Sequence, residues 1–159
     1  MKILTIGDVV GEAGLDALHA LLRRIKRDTG ADFVIVNGEN AAGNGVLPRQ
    51  AEDIFDAGAD VVTLGNHAFG KQQIVPYLDE HSDILRPANL APQSPGQGWG
   101  IFDGPQGSRL LVIDLIVILS PKIPGLSYTG GLGMTGWIKI PGIGLTFQYR
   151  QFGYHGLGL

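Results

Sequence analysis

No cysteine occurs among the 159 residues. That excludes a disulfide framework and any thiolate metal site, so a metal bound here has to be held by oxygen and imidazole donors, the ligands of hard or borderline cations. Long apolar runs are equally scarce. The longest, Leu110 to Leu119, is interrupted by Asp114 and falls short of the ~20 residues a membrane-spanning helix needs; it reads as a buried strand, and no membrane partner is expected. The opening MKILTIGD enters a strand-like segment at once, without the apolar stretch and small-residue cleavage site of a signal peptide, so a cytoplasmic protein is expected. Basic stripes with interleaved aromatics are missing too, which leaves stable nucleic-acid binding without support.

The scarcity of acid is local rather than general. All 15 acidic residues lie at or before Asp114, together with 9 of the 12 Lys and Arg, so residues 1–114 carry −6 (9 minus 15). The last 45 residues hold three cations, no acid and 10 of the 25 Gly. A change of this kind marks a boundary between segments of different structural or evolutionary history. Residues 1–119 are read as one α/β domain, and residues 120–159 as a Gly-rich apolar tail of β character. The tail's Trp137, Phe147, Tyr149, Phe152 and Tyr154 suit burial better than solvated disorder. It is expected to pack on a sheet face that residues 1–119 leave exposed, or on a neighbouring subunit, which makes a homo-oligomer the expected state.

What is present is a repeated strand, loop and helix pattern. Lys2 to Ile6 alternates and is followed by Gly7; Leu15, Leu18, Leu21, Leu22 and Ile25 then recur at helical spacing up to the stop at Gly30. Phe33 to Val36 is a continuous apolar run of the kind found in strands buried on both faces. Pro48 can open a second helix, Gly58 closes it, and Val61 to Leu64 forms a third strand. Three such units predict a layered α/β fold with a mainly parallel sheet. Further on, a helix is predicted over 72–80 with Pro76 near its start, then a loop from Arg86 to Gly98 and a β-hairpin made by Trp99 to Phe102 and Arg109 to Leu119.

Polar residues introduced by Gly follow each of the three strands: Gly7-Asp8, Gly38-Glu39-Asn40 and Gly65-Asn66-His67. In a parallel sheet the carboxyl ends of the strands share one edge, where ligands bind. Two carboxylates, two amides and an imidazole gathered there match hard-cation chemistry. The link Gly7-Asp8-Val9-Val10-Gly11 also joins a strand to a helix, but its spacing does not fit G-x-G-x-x-G and no Lys completes a phosphate-binding loop. Among the histidines, His19 reads as structural, His81 as a helix-end residue, and His155 stands without a supporting motif.

These blocks resemble the calcineurin-like metallophosphoesterases, and within them the bacterial YmdB-type 2′,3′-cyclic-nucleotide phosphodiesterases. The resemblance rests on Ile6-Gly7-Asp8-Val9-Val10-Gly11, on Val36 to Gly43 (VNGENAAG), on Thr63-Leu64-Gly65-Asn66-His67, and on Arg86-Pro87-Ala88-Asn89 followed by Pro95-Gly96-Gln97-Gly98-Trp99. It implies a metallophosphoesterase-like sandwich and a site holding two divalent ions, Fe, Mn or Zn. Asp8 and Asn40 would ligate the first ion, Glu39 would bridge, and Asn66 would ligate the second. His67 would act catalytically, giving a proton to the departing alkoxide of a small phosphodiester or cyclic-nucleotide substrate attacked by a metal-activated hydroxide.

The resemblance stops after Leu115 apart from the short Gly133-Met134-Thr135-Gly136, and the further metal-binding histidines of such enzymes have no counterpart in the sequence. Weak or single-metal occupancy is the expectation that follows. The alternative reading is a catalytically impaired relative that serves as a metal-binding or oligomerising α/β protein.

Overall fold

The computed structural model describes residues 1–116 of the chain. A parallel sheet is formed by β1 (Ile3–Ile6), β2 (Phe33–Asn37), β3 (Val61–Thr63) and β4 (Ile84–Leu85), which lie in chain order across it. The links between them hold α1 (Gly11–Thr29), α2 (Pro48–Ala57) and α3 (Ile74–Glu80). Strands added one after another in the same direction, with crossovers of one hand, place every helix on one face. The core shows this: Leu15, Leu18 and Leu22 of α1, Ala51, Ile54 and Ala57 of α2, and Ile74 and Leu78 of α3 pack with Val34, Val36, Val62 and Ile84 of the sheet. β2 is buried along its whole length, as its unbroken apolar run predicts.

The opposite face is covered by a hairpin of β5 (Trp99–Asp103) and β6 (Arg109–Ile113), paired antiparallel from Trp99 with Ile113 to Asp103 with Arg109. Leu110 and Val112 turn inward and meet Phe33, Ile35, Val61 and Leu85, with Phe102 packed alongside. This corrects the expectation of an exposed sheet face. On this side the exposed apolar surface lies one layer further out, on the hairpin, where Trp99 and Ile101 are each 55% exposed; Val10 and Leu21 are exposed elsewhere. The predicted division at residue 119, the tail, and His155 lie outside the described residues. Among the described residues no helix is long and apolar enough to cross a membrane.

Several element boundaries differ from the prediction for identifiable reasons. β4 has only two residues, too few to show a period. α1 begins at Gly11 although no side chain caps it. Its start is fixed from outside, because the Gly11 N–H donates to the Asn40 carbonyl at 3.0 Å. β6 ends at Ile113 rather than 119. Beyond it, Asn89 pairs with the backbone of Ile116 in both directions, its side-chain amide donating to the Ile116 carbonyl and its Oδ1 accepting the Ile116 N–H at 3.0 Å. The Arg86 motif is likewise structural: the buried guanidinium donates to the carbonyls of Pro87, Ser94 and Pro95, and so gathers the loop between β4 and β5.

Candidate functional site

Three turns meet at the carboxyl edge of the sheet, and backbone hydrogen bonds lace them together. The Val9 N–H donates to the Asn37 carbonyl at 2.9 Å, and the Gly38 N–H to the Thr63 carbonyl at 3.0 Å. Asp8 has a φ of +45°, a left-handed conformation that costs most side chains roughly 1–2 kcal/mol and is eased for Asp by its short polar side chain. Backbone strain of this kind gathers at ligand sites.

The side chains form a connected chain. Asn40 Nδ2 donates to Asp8 Oδ1 at 2.7 Å, and Asn40 Oδ1 lies 2.7 Å from His67 Nδ1. In the tautomer that pairs with this amide oxygen Nδ1 carries the proton and Nε2 the free lone pair. Glu39 is only 5% exposed, and its Oε2 accepts the His67 backbone N–H at 3.3 Å. Gly65 shows why the third turn must begin with glycine: its φ is +49°, and a Cβ there would stand 2.3 Å from Glu39 Oε2.

Burial pushes the Glu39 carboxyl up, and the negative charge of Asp8 adds to this; the His67 amide, the His67 ring and the Asn66 amide pull it back in part. None of the ion pairs among the described residues reaches Asp8 or Glu39. A buried acid beside a second acid, with no Lys or Arg among the described residues paired to either, is the electrostatic setting a cation would relieve.

The structure therefore brings together Asp8, Glu39, Asn40 and His67. Asn66 sits in the same turn with its residue exposed, and it meets Glu39 through its backbone amide. Among the described residues no group of three or more acidic and histidine side chains closes on a common point. Any ion held here needs the amide oxygens of Asn40 and Asn66 as well as the carboxylates.

Asp114 was missed by the sequence reading. It is fully buried, and its Oδ2 accepts the N–H groups of Leu64 and Gly65 at 3.1 and 3.0 Å. Burial pushes this carboxyl up to about 7 against those hydrogen bonds. The available signal was a single acid interrupting the longest apolar run. A buried acid in such a run has to find a polar partner.

A family model described as YmdB-like protein matches residues 4–122. The chain belongs to the YmdB-like family. Two relatives support the assignment. A 2′,3′-cyclic-nucleotide 2′-phosphodiesterase of Bacillus subtilis (strain 168) is 38% identical over 116 residues, covering 72% of this chain and 44% of that protein. A putative phosphatase/phosphodiesterase of Mycoplasma pneumoniae is 33% identical over 108 residues, covering 65% and 38%. Two solved structures share the fold. A hypothetical protein from Thermus thermophilus has a TM-score of 0.67 at 36% identity, covering 74% of this chain and 46% of that one. A novel phosphatase from Mycoplasma pneumoniae has a TM-score of 0.68 at 28% identity, covering 76% and 44%. This YmdB-like chain spans less than half the length of each of these relatives.

Proposed function

We propose that the carboxyl edge of the sheet is the strand-borne part of a metal-dependent phosphoesterase site, acting on phosphodiesters of the 2′,3′-cyclic-nucleotide class. The observation that carries this reading is the buried carboxylate of Glu39, which no ion pair among the described residues reaches, beside the hydrogen-bonded chain Asp8–Asn40–His67. Asp8, Glu39, Asn40 and Asn66 are the residues that would hold a divalent ion such as Mn, Fe or Zn. Bound there, such an ion would polarise a phosphoryl oxygen and supply hydroxide near neutral pH. The chain's own part is to hold and orient. Asn40 would fix the His67 ring through Nδ1, so that the doubly protonated ring gives its Nε2 proton to the leaving alkoxide and returns to the form protonated at Nδ1 alone. The phosphodiesterase and phosphatase names of the relatives support the reaction class.

A second reading, an α/β protein that binds metal without turnover, is favoured by one observation: the acidic and histidine side chains of the described residues do not close on an ion by themselves. Titration with Mn²⁺ separates the outcomes. Saturable binding that raises the melting temperature and is abolished in Glu39→Ala supports the metal site, and metal-dependent hydrolysis of a 2′,3′-cyclic nucleotide then distinguishes the enzyme from the binder. Absence of both binding and thermal stabilisation with Mn²⁺ and with Fe²⁺ sinks the metal reading.

A further inference from the structure

We infer that Asp114 is a positioning residue, whose carboxylate sets the turn that carries Asn66 and His67 against Glu39. The inference rests on the metal-site reading for its purpose, but its geometry stands independently. Asp114 follows β6 on the far face of the sheet, and its backbone is clamped from two sides. Its N–H donates to the Gly98 carbonyl at 3.1 Å, and its own carbonyl accepts the Ala88 N–H at 2.7 Å. The carboxylate thus projects from a fixed point. Its Oδ2 then takes the N–H groups of Leu64 and Gly65, the two residues that lead into the turn Gly65–His67.

The two acceptances are not equivalent. Leu64 N–H also donates to the Leu85 carbonyl at 3.0 Å, a sheet bond that survives without the acid. For the Gly65 N–H, Asp114 is the one acceptor found among the described residues. Gly65 is also where the turn touches Glu39, since the carboxylate of Glu39 occupies the space a Cβ would take, and two residues on the His67 amide donates to the same oxygen. Contact therefore runs without a gap from the hairpin through Asp114 and Gly65 to Glu39 and His67.

The test uses the full chain, ¹⁵N-labelled, in three variants: Asp114→Ala, Asp114→Leu, which fills the space without offering an acceptor, and Asp114→Asn, which keeps one. Loss of the acceptor is expected to speed exchange of the Gly65 amide by roughly tenfold or more while amides of α1 hold their rates. The His67 amide resonance should shift, and Mn²⁺ affinity should weaken by ~10–100-fold, as for a group that orients ligands from behind. Asp114→Asn should restore most of all three. Unchanged Gly65 exchange and His67 resonance in the leucine variant overturn the inference. So does a rise in exchange shared equally by α1, which marks general loosening, and so does full Mn²⁺ affinity despite a loosened turn. If the unsubstituted chain binds no Mn²⁺, the metal reading fails, and the amide data alone decide whether Asp114 sets the turn.

Discussion

The helix-covered face of the sheet and its carboxyl edge lie within a few residues of one another and are built on opposite terms. On the face, Leu22, Ile54, Leu78 and their neighbours are fully buried and wholly apolar, so each contributes roughly 1.5–3 kcal/mol by leaving water. At the edge the chain accepts a left-handed Asp8, a buried Glu39 that no ion pair among the described residues reaches, and a fully buried Asp114. Several local rules of stability are broken together where a ligand would be bound, which is the usual mark of a functional site. The face supplies the stability that lets the edge remain strained.

Substitutions can break that division or sharpen it. The largest effect is expected at the edge. His67→Ala should lower kcat for bis-p-nitrophenyl phosphate by ~10²–10⁴ and leave the melting temperature in place, with Mn²⁺ still bound. An unchanged rate would remove His67 from the chemistry. On the face the reverse is expected: Ile54→Ala, at a fully buried position, should cost about 2–5 kcal/mol in denaturant unfolding without altering Mn²⁺ affinity in the folded protein. A matching loss of affinity would show that the two regions are not separable.

A smaller effect concerns pH. Asp114 loses its proton near 3.8 in the ordinary state and near 7 when folded, and Glu39 is raised in the same direction. Between those values the folded chain holds more protons than the unfolded one, so stability falls as pH rises through that window. Melting temperatures measured without metal should decline from acid toward neutral pH, and Asp114→Asn should flatten the decline. Saturating Mn²⁺ should remove the part due to Glu39. The smallest effect belongs to the half-exposed pair Lys26–Asp60, 3.0 Å apart. Lys26→Met should change stability by under ~1 kcal/mol, a shift that shrinks further in high salt.

Much of the face could be read from the sequence, because periodicity is a local property. The helical spacing of Leu15, Leu18 and Leu22 and the unbroken Phe33–Val36 report burial directly, and both are buried as expected, whereas Leu21 of the same series is 48% exposed and Ile25 only partly buried. His81 caps α3 as predicted, with its ring stacked on Tyr77. The approach of Asp8, Glu39, Asn40 and His67 was legible for a similar reason, since Gly-led polar residues after parallel strands share an edge by topology. What could not be read is whatever depends on long-range contact. The start of α1 is set by Asn40 from another loop, β4 is too short to carry a pattern, and the hairpin's place on the second face follows from tertiary packing alone. Asp114 was visible as an interruption, but its partners stand about fifty residues away in sequence, and no local rule names them.

The strand order has a consequence for how the molecule comes into being. Ile3 meets Phe33, Ile35 meets Val61, and Val62 meets Ile84, so each new pairing closes a loop of only about 20–30 residues, for which the entropic toll varies little. Among the described residues no strand of this sheet has to wait for a later one to be inserted between it and its neighbour. A chain emerging from the ribosome can therefore lay down the sheet in the order of synthesis, each strand templated by the one before, with the hairpin docking after it and bringing Asp114 to the turn that its carboxylate then sets.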